Sequence, residues 1–323
     1  MALPLAIILF LAGLFFIIKG GEFLVNAALS LNKHTGMNHI LIGATFISIA
    51  TALPEIIVSV VAVFNNNHAI ATGNAIGSMI ANIALVLGLY VAFMPGKIDR
   101  KQVLAKSIFL FVAMVVFWIF ALNMRISWVN GTILILGFVW FMWISKKEAK
   151  KQKPTQEKPE ESLSLDEKKQ AWKKIFLLFL LAQGLLIAGA FMLVTYGEQI
   201  AHAFNISEAV IGFTIIAFGT TLPEIVTAIQ AIKKKSGGLA LGNVIGANII
   251  NATLLLGITS VISPGGLPIS RATLFVSLPV LMGLTLIALV PMLVKQRAYK
   301  WQGVVLLGLY IAYILYLMIV QPL

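Results

Sequence analysis

Two short stretches carry the residue types best suited to chemistry: Ala50-Thr51-Ala52-Leu53-Pro54-Glu55 and Gly219-Thr220-Thr221-Leu222-Pro223-Glu224. Each places a glutamate about halfway along an apolar run. An ionisable group at that depth is costly and faces a cavity or a bundle interior. Thr51 and Glu55 are four apart, so on a helix they share a face. Thr220 and Glu224 repeat the pattern, and Thr221 adds a hydroxyl. Proline has no N–H and clashes with the preceding turn. A helix break is therefore expected just before each acid, freeing carbonyls near Ala50 and Thr51 to line a cavity.

A second element follows each acid. Gly73-Asn74-Ala75-Ile76-Gly77 and Gly242-Asn243-Val244-Ile245-Gly246 are both G-x-x-x-G, a pattern that lets helices approach closely. Ser78 and Asn82 come next, four apart, and Asn251 matches Asn82 in the second stretch. Close packing would bring Asn82 and Asn251 towards the glutamates. Carboxylates, amide oxygens, hydroxyls and freed carbonyls make an all-oxygen cage. Such a cage suits a hard cation such as Ca2+, which takes about 6–8 oxygens. Two uncompensated carboxylates in low dielectric repel, and one takes up a proton. One divalent cation cancels both charges, and so do monovalent ions or protons, which makes exchange among them physically natural. The bland readings are a protonated structural glutamate and ordinary interhelical asparagine bonds. Two acids at matched positions, each after a threonine turn and a proline, favour ion binding. Lys19 and Glu22 are three apart and can simply pair, and Glu198 can cap a span end.

The two stretches belong to an internal repeat. Residues 43–88 align with 212–257 at a constant offset of 169 without a gap, and 19 of the 46 pairs are identical. The identities include Pro, Glu and Asn, which apolar filler would not match. Around the repeat lie ten apolar segments, roughly 3–30, 39–64, 69–93, 105–122, 126–145, 175–197, 208–232, 239–262, 272–294 and 301–320, each long enough to cross a bilayer as a helix. Five spans per half is an odd number, so two homologous halves in series insert with opposite orientation, as in inverted-repeat transporters. The expected fold is an all-α integral membrane protein with ten transmembrane helices in two inverted-topology five-helix repeats. Its parts are residues 1–145 with motif 43–88, a charged linker 146–174, and residues 175–323 with motif 212–257.

Composition agrees. The chain of 323 residues is 59% hydrophobic and 11% charged, about half the charge of a soluble domain. The absence of cysteine excludes disulfides, thiolate metal sites and cysteine nucleophiles. The start, Met1-Ala2-Leu3-Pro4, reads as the first span, not as a cleaved signal. The net charge of +12 could suggest nucleic acid, but its placement argues otherwise. With the linker in the cytoplasm, 21 of the 24 basic residues fall on the cytoplasmic side. The positive-inside rule then sets both termini outside. The linker holds ten lysines, six acids, Pro154 and Pro159, the composition of a hydrated tether, with a helical end near Asp166–Lys174.

These residues resemble the tandem α-repeats of the Ca2+/cation antiporter superfamily, in particular its sodium/calcium exchanger branch. The resemblance rests on Gly43, Thr45, Thr51, Leu53-Pro54-Glu55, Gly73-Asn74, Gly77-Ser78, Asn82 and Gly88, and on Gly212, Thr214, Gly219-Thr220-Thr221-Leu222-Pro223-Glu224, Gly242-Asn243, Gly246, Asn248, Asn251 and Gly257. It implies a secondary active antiporter of the cell membrane exchanging Ca2+ for Na+ by alternating access, with the first and sixth spans as the moving gate. It implies Glu55 and Glu224 as central Ca2+ ligands, with oxygens from Thr51 and Thr220. Thr221, Ser78, Asn82 and Asn251 would complete flanking sodium or water sites. The ions are cargo, so no cofactor is expected, nor an obligate protein partner.

The sequence also departs from the family pattern. Ala52 and Ala247 stand where serines are usual, Ala50 where glycine is, and Met79 where asparagine is. Asn251 replaces an aspartate found in some members, which weakens a potassium-dependent reading. The missing hydroxyls leave open an H+-coupled exchanger of Ca2+ or another divalent ion. A cation channel is an alternative of another class, but it prefers a continuous polar pore. An enzyme is not expected, since no nucleophile with a base is present.

Overall fold

The computed structural model describes residues 3–151, 165–203 and 217–320. Ten helices occur among them: α1 Leu3–Thr35, α2 His39–Phe64, α3 His68–Phe93, α4 Arg100–Ala121, α5 Trp128–Lys151, α6 Leu165–Ala203, α7 Ala217–Lys233, α8 Gly237–Ile262, α9 Thr273–Lys295 and α10 Lys300–Val320. Nine hold a stretch long and apolar enough to cross a membrane. The exception is α7, described over only 17 residues; the rest of the expected span 208–232, with Gly212 and Thr214, lies outside the described residues. Several helices outrun their apolar segments because polar caps extend them into water. Asp99, for example, accepts from Lys101 N at 3.0 Å and starts α4 at Arg100, ahead of its apolar segment, whereas Asn38, accepting from Leu41 N at 2.7 Å, starts α2 where its apolar segment starts. Lys106, expected in a connection, is therefore buried inside α4 and donates to the Gln102 carbonyl at 3.2 Å. The expected helical end of the linker is present, because α6 begins at Leu165.

The prolines do not break their helices. Pro54 and Pro223 each lie inside continuous α-helix. Proline removes only the one N–H that would meet the carbonyl four residues back, at Ala50 and Gly219, and an otherwise bonded helix tolerates that loss. The irregular turns fall elsewhere. Gly43–Ile47, Asn82–Val86, Asn251–Leu255 and Thr273–Ser277 are π-helical.

The chain forms two compact units. Unit one comprises Met1–Thr51 and Ile144–Asn243, and unit two Ala52–Trp143 and Val244–Leu323. Neither coincides with a sequence half. In unit one α1 runs along α6. A Cβ built on Gly13 would lie 3.0 Å from the Gly189 carbonyl oxygen, and one on Gly20 would lie 3.1 Å from that of Ala182. As α1 advances its partners on α6 recede, so the two helices are antiparallel. The offset of 169 carries Gly13 to Ala182 and Gly20 to Gly189, so the two contacts interchange under the repeat. Phe46 stacks against Phe179 at 4.7 Å between centroids. Gly43 of α2 meets the α8 backbone at Leu239 and Asn243, and Gly242 meets that of Ile40 and Ala44. The close approach expected of G-x-x-x-G is therefore made at Gly242, against Gly43 and its neighbours. At Gly73 and Gly77 no described atom lies within 4 Å of an added Cβ.

Unit two repeats this cross-packing. Gly88 of α3 sits on α10 at Gly303, and Gly257 of α8, its repeat mate, sits on α5 at Gly131. Two short antiparallel ribbons tie the connections. Strand β1 (Gly96–Lys97) pairs with β4 (Arg297–Ala298), and β2 (Arg125–Ile126) pairs with β3 (Leu267–Pro268). Each ribbon joins a connection of one sequence half to a connection of the other.

Gly242→Ala should destabilise the protein by about 1–3 kcal/mol, because its Cβ would meet backbone that cannot retreat. Gly184→Ala and Gly308→Ala, where the space is open, should be neutral or slightly stabilising. Thermal unfolding in one detergent checks this, and equal melting points for the three variants would contradict it.

Candidate functional site

All eight residues singled out in the sequence are withdrawn from the surface. Thr51, Glu55, Ser78, Asn82, Thr220, Thr221, Glu224 and Asn251 each have 0% exposure. Neither glutamate faces lipid, which excludes surface acids that happen to lie within a span. Burial of a carboxylate demands compensating polar or cationic partners.

In unit one the site residues are Thr51, Thr220, Thr221 and Glu224. Thr51 Oγ1 donates to Asn243 Oδ1 at 3.2 Å, and Asn243 Nδ2 donates to Thr227 Oγ1 at 3.2 Å. Thr227 Oγ1 in turn donates to the Glu224 carbonyl at 3.0 Å. One amide on α8 therefore connects the threonine of α2 to the backbone that carries the glutamate of α7. The close approach at Gly242 brings α8 near enough for Asn243 to reach both.

In unit two the site residues are Glu55, Ser78, Asn82 and Asn251. Asn74 Nδ2 lies 3.1 Å from the Glu55 carbonyl and 2.9 Å from Ser59 Oγ, donating to both. Here the asparagine of α3 takes the role that Thr227 and Asn243 share in unit one. Asn248 Nδ2 donates to the Met79 carbonyl at 3.3 Å, tying α8 to α3. Beyond these bonds lies a set of unused polar atoms. Ser78 Oγ, both amide atoms of Asn82, both of Asn251, and Asn248 Oδ1 are buried without a hydrogen-bond partner among the described residues. Buried amides in native proteins are almost always bonded. Several orphans in one unit mark a place for water or a cation. Their chemistry fits a hard cation, since a buried amide or hydroxyl oxygen supplies a neutral ligand. Asn82 and Asn251 each begin a π-helical segment, a distortion common at functional sites.

Sequence reasoning did not single out Asn74, Asn243 and Asn248, whose hydrogen bonds tie the motif helices together. For the first two, an asparagine matched in both copies beside each glycine is a usable signal. Among the described residues no group of three or more His, Cys, Asp or Glu could hold a metal. Lys19 and Glu22 pair at 3.0 Å, as their spacing suggested. The side chain of Glu198 lies outside the described residues.

A helical polytopic protein with acids, amides and hydroxyls buried at its motif helices falls in the class of membrane ion transporters. The sequence pattern of the family described as "Sodium/calcium exchanger protein" matches residues 5–147 and 174–319, and the chain belongs to that family. It is a family of exchangers, not of enzymes. The chain is 34% identical over 305 residues to a membrane protein of Methanocaldococcus jannaschii, covering 94% of each. It is 28% identical over 344 residues to the sodium/calcium exchanger MaX1 of Methanosarcina acetivorans, covering 96% of this chain and 97% of that one. A solved structure of the sodium-calcium exchanger NCX_Mj, soaked with 10 mM Na+ and zero Ca2+, superposes with a TM-score of 0.83 at 31% identity, over 98% of this chain and 100% of that one.

Asn243→Ala removes two side-chain hydrogen bonds and leaves the Thr51 hydroxyl without its acceptor. It should cost about 1–3 kcal/mol of stability. A double-mutant cycle with Thr227→Val should show coupling of about 0.5 kcal/mol or more. Additive melting shifts would mean that the observed bonds carry no energy.

Proposed function

We propose that this chain is a secondary active antiporter that exchanges Ca2+ for Na+ across the cell membrane by alternating access. On this reading Glu55 and Glu224 bind the Ca2+, Thr51 and Thr220 add oxygens, and Thr221, Ser78, Asn82 and Asn251 hold flanking Na+ or water. The observation that carries it is the complete burial of both motif glutamates together with the orphaned oxygens of Ser78, Asn82 and Asn251. Family membership, and the names of MaX1 and NCX_Mj, support the same ions. The inverted arrangement of two five-helix repeats belongs to this proposal, and the antiparallel run of α1 and α6 supports it. The topology with both termini outside and the 146–174 linker in the cytoplasm is part of the same proposal.

A second reading keeps the fold and couples Ca2+, or another divalent ion, to H+. One observation favours it. Ala52, Met79 and Ala247, at positions polar in the family pattern, are buried at 0%, 1% and 0% exposure. The hydroxyls and amide that could coordinate Na+ are therefore missing from the interior itself.

Proteoliposomes with Na+, K+ and H+ gradients imposed separately decide between the readings. An outward Na+ gradient should drive uptake of radiolabelled Ca2+, while uptake driven only by a pH jump would select H+ coupling. Glu55→Gln and Glu224→Gln should each reduce uptake to background while the protein stays folded. Uptake at the wild-type rate in either folded variant removes that glutamate from the site.

The natural lack of cysteine makes topology testable with single thiols. Lys151→Cys and Asn123→Cys, both exposed at helix ends, should label with an impermeant reagent from the cytoplasmic and the external side respectively. The opposite pattern would invert the topology.

A further inference from the structure

The ribbon formed by β1 and β4 poses an electrostatic problem that the transport site does not explain. Its register places Lys97 directly opposite Arg297. Residues directly opposite in an antiparallel pair share a face, and like charges there are destabilising. The neighbouring chain adds to the repulsion. Arg100, Lys101, Lys295 and Lys300 are all exposed around the same ribbon. The acid of this segment, Asp99, accepts from Lys101 N at 3.0 Å and from Gln102 Nε2 at 2.8 Å, and its single negative charge offsets one of the six positive ones.

The second ribbon, joining β2 and β3, is a control within the same unit. Its strands carry one cation, Arg125, which stands opposite Pro268 and donates to the Gly265 carbonyl at 2.7 Å, while Arg271 follows β3 and is exposed. No two cations stand opposite one another there. Ribbons are thus closed in this protein without paired cations, and the six at β1–β4 need another account. Their depth supplies one. The ribbon joins the end of α3 to the start of α4 and the end of α9 to the start of α10, where lipid headgroups meet water. Phe93 and Trp301 are exposed beside it, and Arg297 lies over the Tyr299 ring at 5.7 Å. Aromatic side chains of this kind settle at headgroup level.

We propose that the β1–β4 ribbon is a binding site for the headgroup of an anionic phospholipid. The lipid phosphate sits between Lys97 and Arg297 and relieves their repulsion, while its acyl chains lie against the apolar flanks beside Phe93 and Trp301. Basic clusters at this level recognise anionic lipid headgroups. The positive-inside bias accounts for cations on one side of the membrane, but not for two of them set face to face. The site is independent of which ions the motif residues carry.

The test uses the full chain reconstituted in phosphatidylcholine with a small fraction of spin-labelled phosphatidylglycerol or spin-labelled phosphatidylcholine. The motionally restricted fraction should favour phosphatidylglycerol. That preference should be lost in Lys97→Gln/Arg297→Gln/Lys300→Gln, leaving the two lipids equally restricted. It should persist in the control Lys33→Gln/Lys233→Gln/Lys235→Gln, which removes equal charge elsewhere. Equal losses in both variants would reduce the site to diffuse surface potential and overturn the proposal, as would no loss in either. Lys97→Glu gives an independent readout, because it turns the pair into an attractive one. It should raise the melting temperature in neutral detergent and abolish the rise that added phosphatidylglycerol gives the wild type. A phosphatidylglycerol response unchanged in Lys97→Glu would also overturn the proposal.

Discussion

A carboxylate taken out of water must find compensation, and Glu55 and Glu224 are both fully buried. The desolvation of such a group amounts to several kcal/mol even after the protein relaxes. The surrounding architecture follows from this cost. The polar side chains of the motif helices are gathered on the same segments as the acids. The backbone is braced in each unit: Asn74 holds the carbonyl of Glu55, and Thr227 holds that of Glu224. Fixing the main chain at each acid fixes the origin of its side chain. A buried ligand needs this to meet a small ion at a defined distance.

Close glycine packing explains why the two sequence halves cannot be separate domains. Glycine contacts join α1 to α6, α2 to α8, α3 to α10 and α8 to α5, and each joins one half to the other. The ribbons do likewise. A half on its own would leave the backbone faces at Gly13, Gly43 and Gly88 against lipid. There, close helix packing is the main source of association. Compact units that cut across the halves are what such interlocking produces.

Much of this was legible in the sequence. Hydropathy located ten helices because lipid imposes a minimum apolar length, and the offset of 169 paired the motifs because Pro, Glu and Asn do not recur by chance. Helix ends were less legible. A hydropathy window sees only the part of α4 that lies in lipid, whereas Asp99 starts the helix at Arg100 by capping. Pro54 and Pro223 do not break their helices, because one missing N–H is outweighed by the many helix bonds around it. The close approach at Gly43 and Gly242 was half visible: the motif names a small residue but not the helix it meets. A repeat reveals which elements are equivalent and is silent about which ones touch. The like-charged pair in the ribbon was invisible for that reason, since Lys97 and Arg297 are far apart in the chain.

The two motif copies are not interchangeable: copy two gains a neutral oxygen at Thr221 and at Asn248 and loses one at Ala247. Copy one offers Ala52, Ser78 and Met79, where copy two offers Thr221, Ala247 and Asn248. None of these three differences alters the charge, and each copy keeps one glutamate. What changes is the number of neutral oxygens. On the proposed reading the two acids set the total positive charge that the protein accepts, close to two. The neutral ligands set how that charge is divided among ions. Ca2+ brings both charges at once and needs about 6–8 oxygens, some of which water can supply. Monovalent ions must be held one by one, and an ion bound mainly by hydroxyls and amides suffers most when these become alanine or methionine. Loss of neutral ligands at fixed charge should therefore leave divalent binding largely intact and reduce the number of monovalent ions that accompany each exchange.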